Sequence, residues 1–405
     1  HTRAARRLAM RLTPAVLAEV QQELAAANLD GWLLYDFRGT NPIASTLLGL
    51  EGLLSRRIFA LIPRRGAPTA LTHAIEQGPW KEWPSSWNKV VYSGWRAFES
   101  ELATLVKGKR IAMEYSPGDA VPYVDRVPAG VLEMVRAAGG DVVSSGELVS
   151  RFFAGWTPNN LETHKRAAEA LAAIAEEVMR ECGRRARTST PATEFEGVEM
   201  IRKAFAARRL ITDHGPNVSV GANAANPHYE PTAASSARIE NNNVLLVDLW
   251  AYEENGGLWA DQTWMAWIGD NEVPAEVSRA WTTVRDARDA AIQRIRTQLA
   301  AKKDVRGADA DDAARGVLNE RGYADAIWHR TGHSIDAQAL HGSGPNLDNL
   351  ETREERRLLD GCGFSVEPGV YFPGKFGVRS EVNALVWKGE LIVTPSRVQT
   401  DLWRF

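Results

Sequence analysis

The stretch Ser365-Val-Glu-Pro-Gly-Val-Tyr-Phe-Pro-Gly-Lys-Phe-Gly-Val-Arg-Ser-Glu381 predicts a β-hairpin. Two apolar, β-prone runs flank Pro373-Gly374, a dipeptide that punctuates turns. Glu367 and Glu381 each lie seven residues from Gly374, so a loop centred on that glycine sets the two carboxylates directly opposite one another. Opposed residues of an antiparallel pair bring their Cβ atoms within roughly 5 Å. Like charges that close destabilise each other unless a cation is shared.

A second stretch has the same form. Val244-Leu-Leu-Val-Asp248 reads as a buried strand, and Trp259-Ala-Asp261-Gln-Thr-Trp264 resumes after Glu253-Glu-Asn-Gly-Gly257. A loop centred between Glu254 and Asn255 sets Asp248 opposite Asp261. A turn centred on Asn255-Gly256, a strong hairpin signal, makes the pair diagonal instead. Either register keeps both aspartates on one face, because strand side chains alternate. Thr331-Gly332-His333 lies between the hairpins. Taken singly these are ordinary features: a strand-end aspartate, a core histidine, a Glu-Pro-Gly turn. Together they place four acids and a histidine where buried like charges need a partner. That set suits an oxygen-rich site for two divalent metals.

At 405 residues the chain exceeds one ordinary core, and two domains are expected. The net charge of −3 gives no basis for nucleic acid or an anionic membrane as partner. No apolar run reaches the length of a membrane span. The basic start, His1 to Arg11, reads as the beginning of a helix rather than a signal peptide, having no apolar segment behind it. Cys182 and Cys362 are too few for a disulfide framework, and a cytoplasmic enzyme is the expectation.

In chain order, a helix is predicted over 13–29, with strands at 31–36, 57–62, 69–72, 89–92, 110–114 and 141–143 and a helix near 131–138. Strands alternating with helices predict an α/β domain over residues 1–155, in which His73 and Asp36 read as structural. The boundary falls near Trp156-Thr-Pro-Asn-Asn. Beyond it come helices from Leu161 to about Arg187 and from Thr193 to Arg209, the Asp hairpin, helices from Pro274 and from Ala308, and the Glu hairpin. Helix pair and hairpin thus occur twice within 156–405, a hint of internal duplication.

The order Asp248…Asp261…His333…Glu367…Glu381 resembles the pita-bread metallopeptidases, the family of methionine aminopeptidase, aminopeptidase P, prolidase and the metal-free creatinase. The strings that carry the likeness are Leu246-Val-Asp248-Leu, Ala260-Asp261-Gln-Thr263, Thr331-Gly-His333, Val366-Glu367-Pro-Gly369 and Val378-Arg-Ser-Glu381-Val-Asn383. They cover 158–405; residues 1–155 match only as the additional N-terminal domain of the prolidase and creatinase branches. The resemblance implies an α+β protein: a pita-bread domain of pseudo-twofold duplicated halves, preceded by a smaller α/β domain.

It also implies roles. Asp261 and Glu381 would bridge two divalent ions, with Asp248 completing one shell and His333 and Glu367 the other. Manganese suits such ligands best, and zinc and cobalt fit them. Glu367 would carry a proton from the attacking water to the leaving amine, while His228 and His341 hold the substrate. Arg379 shares the strand face of Glu381, and two readings stay open: an ion pair with a ligand carboxylate, or a fork for a substrate's C-terminal carboxylate. The implied activity is hydrolysis of Xaa-Pro dipeptides, with aminopeptidase P the alternative and a non-catalytic peptide binder the outlier. A homodimer is expected by the same likeness. Two departures stand out. The aspartates are 13 residues apart, wider than usual, and Ser334-Ile-Asp336 follows His333 where another glycine is common.

Overall fold

The structure, a computed structural model, describes residues 11–52 and 54–405. The helix expected to begin within His1–Arg11 therefore lies, Arg11 apart, outside the described residues. The chain divides into two compact units, His1–Phe153 and Ala154–Phe405.

In the first unit the elements run α1 (Pro14–Ala26), β1 (Gly31–Asp36), α2 (Pro42–Leu48), β2 (Ile58–Pro63), β3 (Thr69–His73), β4 (Asn88–Tyr92), α3 (Trp95–Val106), β5 (Arg110–Met113), α4 (Ala129–Ala137), β6 (Asp141–Ser144) and α5 (Gly146–Phe152). The strands form one mixed sheet in the order β4-β3-β2-β1-β5-β6. Thr13 caps α1 ahead of Pro14, a residue whose fixed φ suits a first turn. Three helices went unforeseen. One of them, α2, is capped by Asn41, whose side chain accepts from Ile43 and Ala44. Asp36, expected to be structural, is buried and accepts the Gly39 and Asn41 amides.

The second unit begins with α6 (Pro158–Ala186) and α7 (Glu194–Ala207), followed by β7 (Leu210–Ile211), β8 (Asn217–Val220), β9 (Asn243–Glu253) and β10 (Ala260–Ile268). Thr157 and Thr193 each close a capping box, which starts each helix by satisfying amides that have no partner within it. Next come α8 (Ala275–Ala300), α9 (Gly307–Glu320), β11 (Ser334–Ile335), β12 (Gly363–Val366), β13 (Gly369–Phe372), β14 (Phe376–Arg379), β15 (Val382–Trp387), β16 (Glu390–Thr394) and β17 (Trp403–Arg404).

Alternation divides the core. Along β9, Leu245, Val247, Leu249 and Ala251 pack with α6 and α7, whereas Val244 and Leu246 join the cluster built on α8 and α9. On β10, Trp264 and Ala266 take the first side, Met265 and Trp267 the second. Phe364, Val366, Val370, Val378, Val382 and Ala384 of the later strands also pack toward α8 and α9. Apolar residues fill those positions, and the acids occupy what is left: the faces the two hairpins turn toward each other.

Candidate metal centre

The Glu hairpin keeps one register throughout. Val370 pairs with Val378 and Phe372 with Phe376; farther out, Val366 pairs with Val382 and Gly363 with Leu385. All are symmetric about Gly374, whose φ of 74° is left-handed, a conformation that favours glycine. Glu367 and Glu381 sit at the symmetric positions where the ladder opens between β13–β14 and β12–β15. Pro368 follows Glu367 and has no amide to give; instead, Glu367 donates its N–H to Thr331 O at 2.6 Å.

The Asp hairpin takes the diagonal register: Thr263 faces Asp248 and Asp261 faces Trp250. Its centre lies between Asn255 and Gly256, yet the ladder stops at Ala251–Ala260, so the tip is a wide loop rather than a two-residue turn. The unusual spacing of the aspartates is therefore absorbed in that loop. The hairpins meet where Asn383 Oδ1 accepts the Asp261 amide at 2.9 Å and Thr263 Oγ1 donates to Glu381 Oε2 at 2.9 Å.

His333 immediately precedes the short β11. Ser365 donates its N–H to His333 O at 2.8 Å, and His333 N–H donates to Ser365 Oγ at 2.9 Å. Gly332 permits this approach, since a Cβ there would stand 2.0 Å from Ser365 O. The His333 ring places Nε2 at 3.4 Å from Asp261 Oδ2 and 3.5 Å from Glu367 Oε1.

Asp261, His333 and Glu381 are all buried, and one ligand atom of each lies within 4.8 Å of the others. Asp261 Oδ1 and Glu381 Oε1 are buried without a hydrogen-bond partner among the described residues. An unsatisfied buried polar atom costs about 1–3 kcal/mol, more when charged. Two carboxylate oxygens left bare beside an imidazole are the donor set a divalent cation takes, so these residues fit a metal.

The other two acids stand beside that trio. Asp248 forms an ion pair with Arg379. Arg379 also donates from Nε to Thr263 Oγ1 at 2.8 Å and from Nη1 to Tyr371 Oη at 3.2 Å. The ion pair with a carboxylate is thus the arrangement the structure adopts for Arg379. Glu367 Oε1 accepts from Ser365 Oγ at 3.1 Å.

Electrostatics follow from burial. Burial pushes Asp248 up to about 7. Burial first, then the charges of Asp261, Glu367 and Asp248, raises Glu381 well above the carboxylate range. Burial also works on Glu367, but the surrounding groups, the charge of His333 first and that of Arg379 with it, outweigh it and hold this carboxyl below its ordinary value. For His333, burial is opposed and overcome by the Asp261 hydrogen bond and the charge of Glu367, leaving the ring raised.

The two loop histidines differ in placement. The His341 ring lies 4.0 Å from that of His333, centroid to centroid, and the charge of His333, followed by burial, presses it down to about 3. Its loop is folded around Asp336, the residue that departs from the expected glycine. The buried Asp336 carboxylate accepts the amides of Gln338, Ala339 and Ser343 at 2.7, 3.0 and 2.8 Å. His228 is exposed on its loop, its backbone N–H given to Asn226 Oδ1.

Several participants carried no role in the sequence reading. Thr263 is one, though its spacing two after Asp261 marks the shared face. Tyr371, buried between Arg379 and His329, is another; His329 Nε2 lies 2.7 Å from its hydroxyl. His329 sits one helical-turn spacing before His333, but no regular element links them, so periodicity could not have paired them.

The fold is of pita-bread architecture. The sequence model of metallopeptidase family M24 matches residues 162–388, more than half of the chain, and the chain belongs to that family. Among curated proteins it is 32% identical over 172 residues to Xaa-Pro dipeptidase of Lactobacillus helveticus, covering 42% of this chain and 42% of that one. With probable dipeptidase PepE of Mycobacterium tuberculosis (strain H37Rv) it shares 30% identity over 188 residues, 44% of this chain and 46% of the relative. The chain thus spans less than half the length of these curated relatives. Among solved structures, dipeptidase PepE from Mycobacterium ulcerans superposes with a TM-score of 0.68 at 22% identity, covering 96% of each chain. Xaa-Pro dipeptidase from Bacillus anthracis gives 0.62 at 20% identity over 97% of this chain and 100% of its own. These likenesses establish the shared fold.

Proposed function

We propose that this chain is a metal-dependent dipeptidase that hydrolyses Xaa-Pro bonds. The observation that carries the metal reading is the pair of bare, buried oxygens, Asp261 Oδ1 and Glu381 Oε1, converging with His333. The likeness to Xaa-Pro dipeptidase of Lactobacillus helveticus supports the substrate class. A prolyl bond has no N–H and a fixed φ, so a dedicated site is needed to cleave it.

Asp248, Asp261, His333, Glu367 and Glu381 would hold two divalent ions, manganese being the best match and zinc or cobalt fitting the same donors. When bound, such ions supply Lewis acidity, which makes a water at the site far more acidic. The remaining work belongs to the chain. Glu367, held ionised by the cations around it and oriented by Ser365, accepts the proton of the attacking water and returns it to the proline nitrogen as the bond breaks. His341, neutral and packed against His333, and His228 from its loop hold the scissile group and stabilise the oxyanion that develops. Arg379 fixes Asp248. Among the described residues no helix is long and apolar enough to cross a membrane; a cytoplasmic homodimer acting on small peptides completes the reading, on the strength of the family likeness.

The test is hydrolysis of a dipeptide ending in proline beside a tripeptide with proline second, using metal-stripped protein to which manganese, zinc or cobalt is restored separately. Cleavage of the dipeptide alone is expected. Cleavage of the tripeptide would move the activity to an aminopeptidase, and silence on both with every metal would sink the enzyme reading.

A further inference from the structure

The first turn of α7 holds a carboxylate that the site described above does not use. Glu194 is fully buried, and every hydrogen bond it accepts through its side chain comes from residues 220–237, the segment that carries His228. Oε1 takes the Val220 amide at 2.8 Å and Asn223 Nδ2 at 3.0 Å. Oε2 takes Asn223 Nδ2 at 3.1 Å, the Tyr229 hydroxyl at 2.6 Å and the Ala237 amide at 2.8 Å. The contacts fall on both sides of His228, and one is to its immediate neighbour in sequence.

The backbone around Glu194 reinforces the hold. Its amide donates to Ala237 O at 3.0 Å, Phe195 N–H donates to Ser236 Oγ at 2.8 Å, and Ile239 N–H donates to Ala192 O at 2.7 Å. The start of α7 and the far end of the loop are thereby fastened together. A helix N-terminus also favours an acidic group, which keeps the carboxylate where the loop can reach it. By contrast, among the described residues His228 itself makes one hydrogen bond, from its amide to Asn226. The residue is exposed, and the hydrogen bonds that place it fall on the residues that flank it.

We infer that Glu194 is a positioning residue for His228, acting through the Tyr229 hydroxyl and Asn223. This rests on the role assigned to His228 in the proposed hydrolysis. A loop histidine displaced by about 1 Å can lose up to roughly a hundredfold in rate without any loss of fold. Tyr229→Phe removes one hydrogen bond to Glu194 and leaves the others in place, so it probes the link with little risk of unfolding.

The experiment is a double-mutant cycle on the manganese-loaded protein with an Xaa-Pro dipeptide: Tyr229→Phe, His228→Ala and the pair together, with kcat, KM and the thermal midpoint measured for each. His228→Ala is expected to lower kcat by about a hundredfold and Tyr229→Phe by about tenfold at nearly unchanged KM. In the His228→Ala background the tyrosine substitution should cost nothing further. Equal losses in both backgrounds, or a Tyr229→Phe protein of full activity while His228→Ala is impaired, would overturn the positioning role and leave His228 as assigned. A fully active His228→Ala protein would overturn both. A purely structural Glu194 would shift the thermal midpoint without this non-additivity in kcat.

Discussion

Glu194 and Glu381 are buried carboxylates of the same unit, and they are treated in opposite ways. Glu194 is surrounded by donors from a loop, two amides, a carboxamide and a hydroxyl. Glu381 receives one bond, from Thr263, and its Oε1 has none among the described residues; Asp261 Oδ1 is in the same state. Asp336 and, in the first unit, Glu114 side with Glu194: Glu114 accepts from Trp32, Asn41 and Ser145. In these three, the chain supplies donors to the buried carboxylate. Where four acids converge with too few donors, two of them buried, the partner we propose is a cation.

The largest effect that could break this contrast is loss of a bare oxygen. Asp261→Ala or Glu381→Ala should lower kcat/KM for an Xaa-Pro dipeptide by more than about a hundredfold, beyond what outer-sphere partners of a metal cost. Near-normal turnover by either variant would show that the cluster does not hold the reactive ions.

Stability in chelator sharpens the comparison, because the two glutamates should respond with opposite signs. Glu381→Gln replaces a carboxyl that the folded site holds protonated and the unfolded chain ionises, so it should raise the metal-free protein's unfolding temperature. Glu194→Gln sets an amide against amide and hydroxyl donors and should lose about 1–3 kcal/mol. Calorimetric scans of the two metal-free variants would decide it, and shifts of the same sign would erase the distinction.

The pH dependence follows next. Burial holds Asp248 up to about 7, and Glu381 is raised well above the carboxylate range. Both exceed their unfolded values, so the metal-free fold binds these protons more tightly than the unfolded chain does. Its stability should fall as pH rises from about 4 through 7. Cations bind the deprotonated groups. The difference in unfolding temperature between manganese-loaded and chelated protein should therefore be small at pH 5 and grow through pH 7. A difference independent of pH would contradict the assignment of these acids.

The smallest expected effect concerns the His341 loop. Asp336→Ala frees three amides and should speed hydrogen exchange at Gln338, Ala339 and Ser343, with less than about a tenfold loss in kcat. Unchanged exchange would mean the loop is held by other contacts.

Much of this was legible in the residue order, for physical reasons that differ by element. Pro373-Gly374 fixed the Glu hairpin because a left-handed glycine at the symmetric position leaves one register. The Asp hairpin was ambiguous, since Asn255-Gly256 marks the centre but does not reveal that the ladder stops at Ala251–Ala260. The helix after Thr193 announced itself through its cap, whereas α6 begins at Pro158, inside a stretch read as a turn ahead of Leu161; the seven-residue α2 and α5 are too short for periodicity to register. Glu194 read as an ordinary first-turn acid, because its partners lie 26 to 43 residues on. The ion pair of Arg379 was one of two readings open in the sequence, but its partner Asp248 and the part of Tyr371 were hidden for the same reason: they join two hairpins that only tertiary packing brings together.

The most direct test of the central claim is metal retention. Protein equilibrated with manganese at pH 7.5, dialysed and analysed for metal should keep two ions per chain. Glu381→Gln should lose retention while remaining folded, and Glu194→Gln should keep it. Retention by the Glu381→Gln protein equal to that of the unaltered chain, or no retention by the unaltered chain with manganese, zinc or cobalt, would contradict the reading that the bare carboxylates await a cation.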